Sequence, residues 1–201
     1  MKYHEGTWLP EGDTFFQTRG DYENRDYQRL IPYVQNRRVA IDIGAHVGYW
    51  SKRLIQDFEI VYAFEPEKEH VECLRLNVNN HRLIINEIGL SDKSEVLKFE
   101  KSIENSGMSR ISSTGKDLVC VPLDQFQIIN VDFMKIDVEG HELSVLLGAK
   151  ETISKFKPVL FIEILHGLDT TIRTQLFDFI AKFNYNMVDI VDENYIFVNI
   201  N

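Results

Sequence analysis

Short apolar runs alternate along the chain with segments in which apolar residues recur every three or four positions. The runs are RVAIDIG, EIVYAFEP and LIINEIGL. Between them lie two helical patterns, carried by Val47, Trp50, Leu54, Ile55 and Phe58 and by Val71, Leu74 and Val78. Strands this apolar are usually buried on both faces, so the order strand, helix, strand, helix, strand predicts a parallel sheet with helices on both sides.

The middle of the chain departs from this alternation. EVLKFEK and LVCVPLDQF are typical of strands, and they flank the segment SIENSGMSRISSTGKD, which has neither helical nor strand periodicity. We expect a loop there, and it is longer than most connections in compact domains. Such a loop is either a lid or binding loop, or a disordered hairpin tip.

The alternation resumes with VDFMKID, a predicted strand, followed by a helix over HELSVLLGAKETISKF and a strand over PVLFIEIL. A further helical stripe follows, with Asp169 or Thr170 as its N-cap; its members are Ile172, Leu176, Phe179, Ile180 and Phe183. The final segment, YNMVDIVDENYIFVNI, predicts two antiparallel strands joined by Asp192, Glu193 and Asn194.

The N-terminal region contains one amphipathic stretch behind an irregular arm. We expect residues 1–36, the arm and its helix, to form one unit with a main domain over residues 37–201, since no linker separates them. The arm could cover a binding pocket as a lid, pack against the sheet, or form the contact of a homodimer. The residues concerned are Trp8, Pro10, Asp13, Phe15 and Phe16.

Composition and charge narrow the class of protein. The 201 residues carry a formal net charge of -9, which makes nucleic acid an unfavourable partner. Cys73 and Cys120 lie in apolar contexts without a CxxC pattern, so we expect reduced core cysteines and a cytoplasmic protein. The sequence shows no signal peptide and no apolar stretch near the ~20 residues that cross a membrane.

The first predicted strand ends in a glycine-containing turn, VAIDIGAHVGYW, which includes Asp42, Gly44, Ala45 and Gly48. Glycine there allows a tight turn and the close approach of a ligand. Glu65 ends the second strand about 20 residues further on, where a carboxylate can accept hydrogen bonds from ribose hydroxyls. Because ligands of open α/β sheets bind at the carboxyl ends of the strands, we expect a nucleotide-like cofactor at this edge.

The negative charge of the turn indicates which cofactor binds there. The dinucleotide pattern GxGxxG is absent, and Asp42 would face the pyrophosphate of such a ligand. S-adenosylmethionine carries no phosphate but has a sulfonium and an ammonium group, which suit an acidic turn. Gly89 and Asp92, after the third strand, are expected near the adenine.

Five blocks, in this order and spacing, resemble the FkbM family of S-adenosylmethionine-dependent methyltransferases. They are VAIDIGAHVGYWS, VYAFEPEKEHVECLRLNV, EIGLSD, FMKIDVEGHELSVLLGAKETI and PVLFIEI. The resemblance implies an α/β class I methyltransferase (Rossmann-like) fold, with seven strands in the order 3-2-1-4-5-7-6 and an antiparallel last strand. It also implies O-methylation of sugars, polyketides or other hydroxylated small molecules, and it maps the family's motif residues onto Asp42, Gly44, Gly48, Glu65, Asp137, Glu139 and Glu142.

The stretch KIDVEGHE, at the end of the fourth strand of the main sheet, supplies the candidate catalytic groups. Transfer of a methyl group to a hydroxyl needs an in-line geometry and a base for the hydroxyl proton. We expect Asp137 first, then Glu139 and then His141 to provide that base, and Asp137 also to contact the methionine part of the cofactor. Glu142 could cap a helix or support the site, and Lys135 is expected to face the other side of the strand in a structural role.

Two residues after the next strand, Glu163 and His166, are candidates for contact with the acceptor. The acidic cluster could also hold a metal ion, but the chain has no HExxH motif and no Cys/His ligand spacing, so we expect no metal. Three alternatives stay open: an RNA or protein acceptor, a methyltransferase fold used only for binding, and a nicotinamide dehydrogenase.

Overall fold

A computed structural model describes residues 1–15 and 23–200. Its helices are α1 (Glu23–Leu30), α2 (Tyr49–Asp57), α3 (Lys68–Asn77), α4 (Glu142–Leu147), α5 (Lys150–Phe156) and α6 (Thr170–Lys182). Its strands are β1 (Lys2–His4), β2 (Thr7–Leu9), β3 (Val39–Ile43), β4 (Ile60–Phe64), β5 (Leu83–Asn86), β6 (Gly89–Leu90), β7 (Glu95–Glu100), β8 (Arg110–Ser112), β9 (Lys116–Val121), β10 (Val131–Ile136), β11 (Val159–Glu163), β12 (Tyr185–Val191) and β13 (Asn194–Asn199).

The main sheet of the described residues has seven strands in the order β12-β13-β11-β10-β3-β4-β5. Numbered along the chain within this sheet and read from β5, the order is 3-2-1-4-5-7-6, as the resemblance implies. Strands β5, β4, β3, β10 and β11 pair in parallel, and β13 pairs antiparallel with both β11 and β12. The predicted parallel sheet with an antiparallel last strand is therefore confirmed.

Alternate residues of the central strands pack against helices on opposite faces of the sheet. Ile41 of β3 belongs to a buried cluster that includes Val145 of α4 and Leu176 of α6. Its neighbour Ala40 belongs to a second cluster that includes Leu54 of α2 and Leu74 of α3. Both faces of β3 are thus buried, which explains why its sequence is continuously apolar.

A second sheet in the described residues has four strands in the order β6-β9-β7-β8. Strands β7 and β9 were expected, but β8 was not: it lies within the segment predicted to be a loop and pairs with β7 from Glu100↔Arg110 to Lys98↔Ser112. Three residues are too few to show a period of two in the sequence, so only the pairing reveals this strand.

The predicted irregular arm was also partly wrong, because β1 and β2 form a hairpin around Glu5 and Gly6, both at positive φ. The hairpin packs on α3, where Asn77 exchanges hydrogen bonds with the backbone of Trp8 at 2.7 and 2.9 Å. Leu9, with 1% of its surface exposed, packs in a cluster with Val47 and Cys73. This half of the arm therefore packs against the domain.

Two further differences from the predicted elements arise near the small sheet. The helix expected over HELSVLLGAKETISKF breaks at Gly148, whose Cα approaches the backbone of Ser91 so closely that a Cβ would lie 2.1 Å from the carbonyl oxygen. The third strand, LIINEIGL, divides into β5 and β6, which belong to different sheets.

Other predictions were confirmed. The Asp169 side chain caps α6 by accepting hydrogen bonds from the backbone N–H groups of Thr171 and Ile172. Cys73 and Cys120 are buried free thiols. Within the described ranges, no helix combines the length and apolar character needed to cross a membrane.

Candidate active site

A cavity of about 420 Å³ opens at the carboxyl ends of β3, β4, β10 and β11. Its floor includes Gly44, Ala45 and Glu65, and one wall is formed by the KIDVEGHE segment through Asp137, Glu139 and His141. Gly89 and Glu163 also line it. The structure therefore brings together most of the site residues that the sequence predicts, because parallel strands end at one edge of their sheet.

The glycine turn after β3 is held against the neighbouring strand ends. The backbone N–H groups of Gly44 and Ala45 donate to the carbonyl oxygen of Phe64 at 3.0 and 3.1 Å. Gly44 has φ 76°, and a Cβ there would lie 1.8 Å from the carbonyl oxygen of Asp137. Only glycine allows this conformation together with this approach, which joins the turn to the end of β10.

Glu65 lies beneath this turn with 5% of its surface exposed. Its carboxylate accepts hydrogen bonds from the backbone N–H groups of His46 and Glu67, both at 2.9 Å, and from Nδ1 of His70 at 3.2 Å. The other ring nitrogen of His70, Nε2, is buried and has no hydrogen-bond partner in the described part of the chain. A ribose hydroxyl would satisfy that atom, so the floor of the cavity fits the sugar of a nucleoside-like cofactor.

Lys135 was expected to face away from the site, and this prediction was wrong. Residues two apart in a strand share a face, so Lys135 lies on the same side as Asp137. Its ammonium donates to the Gly44 carbonyl oxygen at 2.9 Å and lies 3.0 Å from Asp137 Oδ2 and 3.7 Å from Asp42 Oδ1. Burial opposes this charge, but the two carboxylates outweigh it and raise the pKa of Lys135.

Asp42 is fully buried and does not line the cavity. Its Oδ2 accepts a hydrogen bond from the Ser51 hydroxyl at 2.6 Å, and its charge faces Lys135. In this geometry Asp42 fixes the lysine that holds both the glycine turn and Asp137. A direct contact between Asp42 and a ligand therefore has no support from the structure.

Glu139 lies on the tight turn between β10 and α4 with φ 53°, an unusual conformation for a residue other than glycine. Glu142, completely buried, stabilises this turn: its Oε1 accepts hydrogen bonds from the backbone N–H groups of Gly140 at 2.9 Å and Val138 at 3.3 Å. Glu142 thus stabilises the turn that presents Glu139.

Two carboxyl groups of the acidic wall, Glu139 and Glu163, have raised pKa values. Burial, followed by the charges of Asp137 and Glu142, raises the pKa of Glu139 to about 7. Burial and the nearby Asp137 charge raise the pKa of Glu163 well above its usual range, so this group is neutral at neutral pH. Glu139 is therefore the lining carboxylate whose proton affinity matches a general base at neutral pH.

His141 contacts the small sheet through its Nε2, which lies 3.1 Å from Ser91 Oγ. Burial lowers the pKa of this imidazole, although Glu95 and Asp92 oppose the shift. It is therefore largely neutral, with one nitrogen engaged by a serine on the wall.

Three predicted site residues besides Asp42 lie away from the cavity lining. Gly48 begins α2 and approaches Leu74, so its role is in packing. Asp92 is exposed and contacts Ser91. His166 is bound to Glu193 at 2.7 Å with 76% of its side chain exposed. The expected ligand contacts of these three residues are not supported by the geometry.

The roof of the cavity was not predicted in detail. It joins the arm to the segment before β8: the Ser106 backbone N–H donates to Asp13 Oδ2 at 3.0 Å, and the Ser106 hydroxyl donates to the same carboxylate. His46 Nε2 in turn lies 2.6 Å from Ser106 Oγ. Asp13 and Ser106 are at most 1% exposed. Phe15 lines the cavity, whereas Phe16 lies outside the described residues.

A long polar segment is the one sign of this roof in the sequence. The buried hydrogen bonds between Asp13, Ser106 and His46 join residues 33 to 93 positions apart, so no local pattern predicts them. In the structure the β1–β2 hairpin packs on α3, where the sequence predicted packing on the sheet, and Phe15 lines the cavity. The lid role of the arm stays a prediction.

A cation could be held where one carboxylate oxygen each of Asp137, Glu139 and Glu163 lie within 4.8 Å of one another. Two features oppose a metal there. Lys135 already balances Asp137, and the raised pKa of Glu163 leaves that group protonated. A metal ligand must be deprotonated, so ion binding would have to displace this proton.

Comparison with known proteins places this geometry in a family. The Methyltransferase FkbM domain matches residues 42–187, most of the chain. Hexuronic acid methyltransferase AglP of Haloferax volcanii is 29% identical over 157 residues, which cover 73% of this chain and 64% of that protein.

Solved structures show the same fold. Methyltransferase FkbM from Methylobacillus flagellatus superposes with a TM-score of 0.61 at 21% identity, covering 81% of this chain and 43% of its own. A magnesium protoporphyrin IX methyltransferase from Synechocystis, solved with bound S-adenosylmethionine, superposes with a TM-score of 0.55 at 12% identity. The match covers 92% of this chain and 84% of that protein's chain. The chain thus spans less than two thirds of the length of AglP and under half of the Methylobacillus protein. With its domain match, its class I methyltransferase fold and its glycine turn, the chain belongs to the FkbM methyltransferase family.

Proposed function

We propose that this protein transfers a methyl group from S-adenosylmethionine to a hydroxyl group of a sugar or glycan. The observation that carries the proposal is the single cavity in which the glycine turn, Glu65 and the acidic wall meet. The first two suit a nucleoside-like cofactor, and the wall offers a base for the acceptor.

The cofactor would be held by residues on the floor of the cavity. Glu65 and the free Nε2 of His70 suit the ribose hydroxyls, the backbone around Gly44 and Ala45 lies beside them, and Asp137 is available to the ammonium group. When bound, S-adenosylmethionine supplies an electrophilic methyl group on a sulfonium. Gly89 and its neighbours Ile88 and Leu90 line the side of the cavity where the adenine was expected.

Glu139 is the group that we assign as general base. Its pKa of about 7 means that it is substantially ionised at neutral pH yet basic enough to accept the proton of a polarised hydroxyl. Asp137, first in the order expected from sequence, is less suited because its Oδ2 is already engaged by the Lys135 ammonium at 3.0 Å. The neutral Glu163 can donate a hydrogen bond but cannot take a proton.

The acceptor class is supported by the relative AglP, whose name describes methylation of a hexuronic acid. It is also supported by the polar character of the lining, where Asn105, Ser106, Ser109 and Asn194 add uncharged hydrogen-bonding groups to the carboxyl wall. Sugars are recognised by such groups around their hydroxyls. The roof over the cavity would exclude water, which competes with the acceptor and weakens the electrostatic interactions.

A transfer assay with methyl-labelled S-adenosylmethionine tests the proposal. The acceptors are p-nitrophenyl glycosides of neutral hexoses and hexuronic acids, with a hydroxyl-free cyclohexyl analogue as the control. Label should appear on at least one glycoside and be stable to mild base, as an ether is and a methyl ester is not. A base-labile product, or no labelled glycoside from protein that binds the cofactor, would refute sugar O-methylation.

A further inference from the structure

The cavity lining contains three long cationic side chains among the described residues: Lys135, Arg25 and Arg110. Two of them are engaged. Lys135 is held by Asp137 and the Gly44 carbonyl oxygen. Arg25 lies 2.6 Å from Asp192 and 3.3 Å from Asp26.

Arg110 differs from these two. It lies at the start of β8, in the roof segment, and is exposed to solvent. Its guanidinium makes no hydrogen bond or ion pair to another residue in the described ranges. Its charge nevertheless reaches the acceptor wall, because it is one of the two cations that lower the pKa of Glu139. Arg110 therefore lines the same cavity as Glu139, with its hydrogen-bond donors available.

The acidic wall of this cavity is less negative than its sequence indicates. Asp137 is paired with Lys135, which also faces the buried Asp42; Glu163 is neutral at neutral pH, and Glu139 is only partly ionised. The guanidinium of Arg110 is therefore the group of the lining that would attract an anionic acceptor. A neutral hexose has no negative charge to pair with the guanidinium of Arg110.

We propose that Arg110 binds the carboxylate of the acceptor, and that this residue selects a hexuronic acid over the corresponding neutral hexose. The planar guanidinium matches a carboxylate with two parallel hydrogen bonds, a geometry that lysine cannot provide. This inference rests on the proposed function, since it assigns the specificity of the same site.

The test compares two acceptors that differ only at C6, p-nitrophenyl β-D-glucuronide and p-nitrophenyl β-D-glucoside. Binding is measured by saturation-transfer NMR on protein saturated with S-adenosylhomocysteine, and methyl transfer is measured separately. The variants are Arg110→Gln, Arg110→Lys and Lys116→Gln. Arg110→Gln removes the charge, whereas Arg110→Lys keeps the charge but cannot donate two parallel hydrogen bonds. Lys116 is exposed on β9 of the same small sheet and outside the cavity lining, so its variant controls for the loss of one positive charge.

We expect the wild type to bind the glucuronide at least about tenfold more tightly than the glucoside. Arg110→Gln should abolish this preference without changing affinity for the glucoside, Arg110→Lys should retain part of it, and Lys116→Gln should retain all of it. An absence of preference in the wild type, or a preference that survives Arg110→Gln, would overturn the inference. Failure of the proposed function is a different result: selective binding of the glucuronide without methyl transfer to any glycoside.

Discussion

Glu139 shows how one residue's place in the fold changes its chemistry. On an exposed loop its carboxylate would ionise near its ordinary pKa of ~4.3 and be a weak base at neutral pH. Here burial and two neighbouring carboxylates raise that pKa to about 7. The tight turn that places it there, with φ 53° at Glu139 itself, is stabilised by the buried Glu142.

The substitution Glu139→Gln should therefore reduce turnover by roughly 10²–10⁴-fold while leaving the affinity for S-adenosylmethionine unchanged. Because the base works only in its ionised form, kcat/KM of the wild type should rise with pH through about 7 and then level off. A steady-state pH profile measures this. Glu163→Gln is the matched control. It replaces a carboxyl that is already protonated, so it should reduce turnover by less than about tenfold. Equal losses in both variants would contradict the assignment of the base.

Gly44 shows a second effect at this scale, since its backbone conformation and its surroundings both exclude a side chain. Gly44→Ala would place a Cβ at φ 76° and 1.8 Å from the Asp137 carbonyl oxygen, so the ends of β3 and β10 would have to separate. We expect a loss of more than about 4 kcal/mol in the free energy of unfolding, measured by urea titration.

Gly6→Ala provides the control for that experiment. Gly6 has φ 90° but no atom within 4 Å of the added Cβ, so only the conformational cost of about 1–2 kcal/mol should appear. Similar losses in the two variants would mean that the close approach of Gly44 to Asp137 contributes little.

At the scale of elements, the roof is formed by segments distant in sequence and tied by a few buried polar contacts. Residues 14 and 15 both donate backbone hydrogen bonds to the Glu104 carbonyl oxygen, at 3.0 and 3.1 Å. Ser106 then connects Asp13 of the arm to His46 of the glycine turn. Movement of the roof would therefore disturb the glycine turn.

Ser106→Ala should lower the free energy of unfolding by about 1–3 kcal/mol, because buried polar groups lose a partner. It should also speed dissociation of S-adenosylhomocysteine, since the roof would be less firmly held over the cavity. Stopped-flow displacement measures the rate. Ser113→Ala, at an exposed position in the same segment, should change neither quantity. If the dissociation rate in Ser106→Ala is unaltered, the Ser106 contacts stabilise the fold but do not control release of the cofactor product.

At the scale of the whole molecule, cofactor binding should stabilise the fold, because the cavity joins both sheets and the arm. At 100 times its dissociation constant, S-adenosylmethionine should add about 2.7 kcal/mol and raise Tm by roughly 5–10 °C. NAD should leave Tm unchanged. Differential scanning calorimetry with each ligand measures both.

Glu65→Gln extends this experiment to the ribose contact. The amide keeps the volume of the side chain but weakens its interaction with two hydroxyl donors. The increase in Tm induced by S-adenosylmethionine should therefore fall by at least half. A full shift in this variant would contradict the ribose assignment of Glu65, and no shift in the wild type would contradict the choice of cofactor.

The sequence by itself determined the fold class and the edge at which the site lies. Strands buried on both faces must be continuously apolar, and parallel strands must end at the same edge, so runs such as VAIDIG and MKID determine both features. Gly44, Glu65, Asp137 and Glu139 could be found in this way because each directly follows, or lies within a few residues of, the end of a central strand.

Only the tertiary structure decided which of these groups carries charge and what covers them. Whether Asp137 or Glu139 suits the role of base depends on Lys135, on burial and on neighbouring carboxylates, and these distances are absent from a linear pattern. Strand β8, which bears Arg110, and the link from Asp13 through Ser106 to His46 exist because pairing and buried hydrogen bonds join distant segments. Local periodicity reports which face of an element is buried, but the partner of a polar side chain is set by the packing of the whole chain.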